Sequence, residues 1–274
     1  MSWQFAFSTL GIPQAPAAEV LELAQRYSCD GVEVRVHPEE FLHLNLTSQQ
    51  TQAVSRMFGE ANLHISALAG YARICSPSPD TEVIDELMRL IDLAHAVGQP
   101  GLSTPGVRVF PGGDDESSSE EHLDRAVRRV EAVLPHAREA GVQVLVETHD
   151  SHPTAAAAQS LVAPLQDTTH AAVLWDGLHP WRSGESTEES MTQLRGQCSY
   201  FQVKDAVYEA DRWVPVALGQ GKVPLTEQGQ SLQQFSGWIS LEWERAWHPQ
   251  IPPLERVLPA AVEWFRTWQP NPAN

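Results

Sequence analysis

Three cysteines in 274 residues, Cys29, Cys75 and Cys198, are odd in number and widely spaced, which argues against a disulfide framework. No CxxC pair is present, so a cysteine-built zinc site has no support either. Basic residues are scarce: Lys and Arg total 18 against 35 Asp and Glu, for a net charge of −17. So acidic a surface repels a phosphate backbone and speaks against nucleic acid as the main partner. No apolar run approaches the length of a membrane span. The start, MSWQFAFSTLGIP, has neither a basic n-region nor a long apolar stretch, unlike a secretory signal. GxGxxG and GxxxxGK are missing after every strand-like run, so dinucleotide and P-loop sites have no support. These absences lead to the expectation of a soluble, cytoplasmic protein. Its apolar fraction of 42% is enough for a substantial core.

What is present is alternation. Short apolar runs suggest strands at WQFAFST (3–9), GVEVRVH (31–37), HISALAG (64–70), GLSTPGVRVF (101–110), VQVLVET (142–148), AAVLWDG (171–177), YFQVKDA (200–206) and WISLEWE (238–244). Segments of helical period follow each, such as AAEVLELAQRYS (17–28) and SEEHLDRAVRRVEAVLPHAREAG (119–141). DTEV at 80 and SSEE at 118 read as helix N-cap signals, and Gly98 and Gly141 as helix ends. Eight strand–helix units at this length predict a single (β/α)8 TIM barrel, one domain over 1–274, in preference to a doubly wound open sheet. The stretch VFPGGDDESSSEEH (109–122) reads as a mobile loop beside the barrel mouth.

In such a barrel the C-terminal strand ends converge on one face, where active sites lie. Glu147 ends the fifth strand run and Asp176 the sixth, while Glu242 lies near the end of the eighth. Gln202 shares a face with Lys204 by two-residue alternation. No Lys or Arg is close in sequence to Glu147, and buried carboxylates without a cation are costly. A divalent ion held by Glu147, Asp176, Gln202 and Glu242 resolves the conflict. Three carboxylates and an amide oxygen form a hard donor set that favours Mn²⁺ or Mg²⁺ and tolerates Co²⁺, with Zn²⁺ a further candidate. Glu244 faces the same way as Glu242, so which of the two is the ligand stays open. An isolated acidic residue at a strand end is usually just solvated; three, at the fifth, sixth and eighth strand ends, are harder to dismiss.

GVEVR, GVRVFPGG, VLVETHD, VLWDGLHP, FQVKD, ALGQGKVP and GWISLEWE, in this order and spacing, resemble the xylose isomerase-like TIM barrels. That superfamily contains sugar isomerases, ketose 3-epimerases, inosose and 3-dehydroshikimate dehydratases and endonuclease IV. The resemblance covers nearly the whole chain. It implies metal-ligand roles for Glu147, Asp176 and Glu242, a substrate contact for His179, and a hydrogen bond from Glu33 to a substrate hydroxyl. It departs at Gln202, where the family usually carries histidine; this makes the site more oxygen-rich. The endonuclease branch fits poorly, because it needs several more histidines and a less acidic chain.

The expected chemistry is a divalent-metal-dependent isomerase or epimerase of a sugar or related polyhydroxy carbonyl compound, working through an enediolate. Glu147 and Glu242 are the catalytic base and acid. One alternative is a metal-dependent dehydratase of an inosose or 3-dehydroshikimate type, supported by Gln202 and using His179 or Lys204 as acid. A second is a non-catalytic carbohydrate-binding barrel. Lys204 is expected to bind substrate or to pair with Asp205, and Arg108 and Arg212 to meet a substrate phosphate or carboxylate. His149 is a candidate to support the site, and His152 reads as an exposed loop residue. Trp175 and Trp243 point outward into the packing against helices. The expected partner is a small sugar or polyol, with no nucleic acid or membrane; homo-oligomerisation is left open.

Overall fold

The computed structural model describes residues 3–99 and 104–270. The strands in chain order are β1 (Trp3–Ser8), β2 (Gly31–Arg35), β3 (His64–Arg73), β4 (Gly106–Phe110), β5 (Val144–Glu147), β6 (Ala171–Asp176) and β7 (Cys198–Val203). A hairpin follows, β8 (Asp205–Glu209) and β9 (Arg212–Val216), and then β10 (Gly237–Leu241). Eight of these form a closed parallel barrel in which β10 lies between β7 and β1, and β1 pairs back onto β2. The single barrel expected from the alternation is the observed architecture. The fourth strand begins at Gly106; residues 101–103 of its expected span lie outside the described residues.

The helices are α1 (Ala17–Arg26), α2 (Ser48–Glu60), α3 (Asp80–Val97), α4 (Ser119–Ala140), α5 (Ala155–Val162), α6 (His179–Arg182), α7 (Thr187–Gln193), α8 (Leu225–Ser231) and α9 (Leu258–Trp268). Their apolar stripes pack on the outward side chains of the strands in one continuous core, which includes Phe5, Phe7, Trp175, Phe201, Trp243 and Phe265. Trp175 and Trp243 are therefore packing residues, as their register implied. Among the described residues no helix is long and apolar enough to cross a membrane. Burial pushes each of the three free thiols up to about 12, so none is a ready nucleophile at neutral pH.

Local signals were read correctly at both ends of α4 and at the C-terminal end of α3, which Gly98 caps, and incorrectly at the N-terminus of α3. Ser118 caps α4 in a reciprocal box with Glu121, and Gly141 ends it in the left-handed conformation at φ 66°. At α3 the cap is Pro79, without a side-chain bond, and Asp80 does different work. Its carboxylate accepts from Arg128 Nε at 2.6 Å and Arg129 Nε at 2.8 Å, joining α3 to α4. Arg129, 1% exposed, also donates to the carbonyls of Ile74, Ser76 and Ser78 and so fixes the turn after β3. The acidic segment expected to be a mobile loop is held by hydrogen bonds. Asp114 accepts from Ser117 and Glu116 amides and from Arg125, and Gly113 N–H donates to Ser151.

The β8–β9 hairpin was not foreseen. Its turn residues Ala210 and Asp211 sit at φ 48° and 60°, the left-handed pair of a tight two-residue hairpin. Asp205 anchors its base by accepting the backbone N–H groups of Ala206, Gly219, Gly221 and Val223. Asp205 is thereby committed to the backbone, and the expected Lys204–Asp205 pair does not form.

Arg129→Ala should lower stability by about 3 kcal/mol, because it orphans the two buried carbonyls of Ile74 and Ser76 and removes the buried cation paired with Asp80. Denaturant unfolding measures this. Asp80 has its carboxyl held down from 3.8 to about 2 by the Arg128 and Arg129 hydrogen bonds. A group lowered on folding stabilises fully above its unfolded value and loses that contribution as the pH falls through the folded one. Unfolding midpoints between roughly pH 4 and 2 should fall less steeply in Asp80→Asn than in the parent.

Candidate active site

Alternation sends every second side chain of each strand into the barrel. Toward the N-terminal ends these form an apolar plug of Ala6, Ala67, Leu145, Ala172, Leu174, Tyr200 and Trp238. Tyr200 places its hydroxyl 2.8 Å from Ser66 across the barrel, which satisfies the buried phenol. Further along the same rows the chemistry switches. Leu145 is followed by Glu147, Leu174 by Asp176, Tyr200 by Gln202 and Lys204, and Trp238 by Ser240 and Glu242. Glu33 and Arg108 enter likewise from β2 and β4. These eight polar residues are at most 5% exposed.

No basic residue is near Glu147 in sequence, but the barrel brings cations to the carboxylates. Arg108 Nη1 donates to Glu147 Oε2 at 3.1 Å, with its guanidinium 4.0 Å from the Phe110 ring centroid. Lys204 Nζ lies 2.6 Å from Asp176 Oδ2 and 2.8 Å from Glu244 Oε1, and also contacts Glu242 Oε2. Burial works against both cations. The carboxylates around them outweigh it and hold both above their ordinary values, Lys204 well above. Burial lifts the carboxyls of Glu147 and Glu242, Glu242 the further, while Arg108 and Lys204 respectively oppose the rise.

The original premise that only an external ion could hold these carboxylates together is therefore too strong. It survives in a narrower form. Among the described residues, the carboxylates of Glu33, Glu147, Asp176, Glu242 and Glu244 outnumber the two buried cations they surround, Arg108 and Lys204, so a negative excess remains on the floor. Two buried oxygens there also lack a hydrogen-bond partner, Asp176 Oδ2 and Gln202 Oε1. Lys204 approaches the first closely but out of hydrogen-bond alignment. Gln202 Nε2 is fully used, donating to both Glu33 oxygens at 3.1 and 3.2 Å and to Glu242 Oε1 at 3.1 Å. Unpartnered oxygens within a negative excess are donors that suit a hard divalent cation.

Asp176 also orients its surroundings. Its Oδ1 accepts the amides of Leu178 and His179 at 2.7 and 3.3 Å, which turns the chain into α6 and brings His179 over the floor. His179 is 4% exposed, its Nδ1 has no partner, and its Nε2 is 3.6 Å from Asp176 Oδ2. Burial, then Lys204, keeps its imidazole neutral, well below the ordinary value. His149 behaves oppositely. Burial disfavours its charge, but Glu147 and a 2.6 Å contact to Asp150 outweigh that and raise it. Donor atoms of Glu147, His149 and His179 lie within 4.8 Å of one another, a second grouping able to hold a metal and one that shares Glu147 with the first.

Above this floor opens a cavity of about 450 Å³. Glu147, His149, His179, Glu242 and Glu244 line it together with Arg108, Arg73, Arg182, Tyr71 and Trp247. Of the residues singled out in the sequence, Glu33, Arg108, Glu147, Asp176, His179, Gln202, Lys204 and Glu242 converge here. Glu242 meets Gln202 on the floor, whereas Glu244 sits further out and half-buried. Arg212 does not join them: it lies exposed on β9, outside the residues lining the cavity. No strand was expected there, although DAVYE and RWVPV separated by two residues carry a hairpin signal. His152 is 8% exposed rather than solvated, packed 5.6 Å from the ring of His122, and burial draws its pKa to about 4. Tyr71 and Arg73 at the end of β3, Arg182 at the end of α6 and Trp247 in the segment after β10 were not anticipated, since all four lie beyond the strand spans read from the sequence.

A sequence model of the xylose isomerase-like TIM barrels matches residues 21–268. None of the curated proteins matches the chain. Among solved structures, the probable 3-DHS dehydratase AsbF of Bacillus anthracis is similar at a TM-score of 0.76 and 20% identity, over 96% of this chain and 98% of that one. The IolI protein, solved with a zinc atom, gives 0.80 and 16% over 97% and 99%. A D-psicose 3-epimerase gives 0.76 and 13% over 97% and 99%. At these identities the likeness establishes a shared fold and no shared reaction. The family match spans most of the sequence, and the chain belongs to the xylose isomerase-like TIM barrel family.

Proposed function

We propose that this barrel is a divalent-metal-dependent isomerase or epimerase of a sugar or related polyhydroxy carbonyl compound. One observation carries the reading: Glu33, Glu147, Asp176, Gln202 and Glu242 meet on a buried floor whose negative charge exceeds its two cations and which retains unpartnered oxygens. Glu147, Asp176, Gln202 and Glu242 are the proposed ligand residues for Mn²⁺ or Mg²⁺. A bound divalent ion supplies Lewis acidity to a carbonyl and its neighbouring hydroxyl.

The chain's own residues account for the rest. Glu147 and Glu242 come from strands separated by β6 and β7, so they approach a bound substrate from different sides. Desolvation raises the basicity of both carboxylates, as abstraction of a proton next to a carbonyl requires. One takes the proton. Return by the other to the opposite face of the same carbon inverts the centre, whereas delivery to the adjacent carbon interconverts aldose and ketose. Arg108 fixes the rotamer of Glu147, and Gln202 fixes Glu33 and Glu242. Glu33 and His179 are the proposed contacts to substrate hydroxyls.

The dehydratase alternative keeps Gln202 in its favour, but the two acids expected for it, His179 and Lys204, are ill suited to the role. Lys204 is locked among three carboxylates that strengthen its hold on its proton, and His179 is kept neutral. The geometry therefore favours proton return over loss of a hydroxyl.

Metal analysis of the purified protein, followed by deuterium exchange from solvent into a panel of ketoses and inososes, tests the proposal. Exchange without an ultraviolet-absorbing enone is expected, abolished by chelation and restored by Mn²⁺. An enone product would instead favour the lyase. Glu147→Gln and Glu242→Gln should each slow exchange by about 10²–10⁴-fold. Gln202→His, which restores the donor usual in the family, should tighten Mn²⁺ binding by about tenfold. Unchanged affinity would count against Gln202 as a ligand.

A further inference from the structure

Two large apolar side chains are prominently exposed among the described residues, Tyr208 and Trp247, and Trp247, at 54%, lines the candidate active-site cavity. A solitary exposed aromatic normally needs no explanation. This one is held in place. The Arg35 guanidinium lies over its ring, 4.8 Å from the centroid. Arg35 is itself buried, paired with Glu40 at 2.9 Å and donating to the Tyr71 hydroxyl at 2.8 Å. Tyr71 meets the indole edge-on, 6.4 Å away at 88°. The loop bearing Trp247 is tied down as well: the amides of Trp247 and His248 donate to the Glu244 carbonyl, and that of Ala246 to the Leu10 carbonyl.

A fixed guanidinium thus backs the indole and a fixed phenol abuts it, leaving a rigid apolar plane open in a cavity otherwise lined largely by charge. Such a plane gains little from a hydroxyl or an anion. It suits the flat apolar face of a ring, whether the C–H face of a pyranose or an aromatic group, and it loses no side-chain freedom on binding because it is preordered. The cavity runs from Glu147 and Glu242 to Trp247, and about 450 Å³ leaves room beyond one small polyol.

We infer that Trp247, with Tyr71 beside it, forms a second subsite that stacks a ring joined to the reacting polyol, so that the substrate is a glycoside or comparable two-ring compound rather than a free monosaccharide. The inference rests on the polyol reading of the floor but is tested without turnover. The full chain loaded with Mn²⁺ is titrated calorimetrically with methyl β-D-glucopyranoside, phenyl β-D-glucopyranoside and cellobiose, alongside Trp247→Ala and Trp247→Phe. A ring-bearing ligand should bind about tenfold tighter than the methyl glycoside. That ratio should fall to about one in Trp247→Ala and be largely kept in Trp247→Phe. Preference for the phenyl ligand identifies an aromatic aglycone, and preference for cellobiose a second sugar. No preference in the parent, or a preference that persists in Trp247→Ala, overturns the subsite. Failure of solvent exchange at the floor, with ring preference intact, would instead count against the isomerase reading alone.

Discussion

Five carboxylates at the cavity floor and its edge surround two buried cations, Arg108 and Lys204, and this imbalance at the barrel mouth constrains everything built around it. Buried carboxylates in such numbers would push one another apart or take up protons without compensation. Arg108 and Lys204 hold the arrangement together, each gripped by carboxylates from other strands. They leave a remainder of negative charge and unpartnered oxygens on Asp176 and Gln202. Lys204 touches side chains contributed by β6 and by the chain emerging from β10, so it also ties strand ends on either side of β7.

The barrel creates this imbalance by geometry alone. Inward rows begin with Leu, Ala, Tyr and Trp, which seal the interior, and end in Glu, Asp, Gln and Lys, which form the buried floor of the cavity. Stability and chemistry thus occupy opposite ends of the same strands. The apolar plug excludes water from beneath the carboxylates, and the resulting desolvation lifts Glu147 and Glu242 toward the basicity that the proposed proton abstraction needs. The loops above add what the strands cannot. Asp176 turns the chain to bring in His179, and the segment after β10 presents Trp247 against Arg35.

The barrel and the floor residues were legible because both follow from period-two rows ending at carboxylates. Their partners were not. Arg108 and Glu147 are 39 positions apart, and nothing local announces that neighbouring strands in register will join them. Lys204 was seen to face inward, but proximity in sequence suggested Asp205, which four backbone amides claim instead. Asp80 resembled a helix cap and serves as an interhelix anchor, since Arg128 and Arg129 compete for it from a distant helix. His152 looked solvated because loops usually are, yet it is buried against His122. Composition and periodicity report which face a residue occupies, not which charge will be waiting there.

The account depends most on where a divalent cation settles. Crystals soaked in Mn²⁺ and measured at a wavelength where manganese scatters anomalously answer that directly. One peak enclosed by Glu147, Asp176, Gln202 and Glu242 is the predicted result. A peak held by Glu147, His149 and His179 instead, or no peak in the cavity at saturating Mn²⁺, would contradict the proposed ligand set.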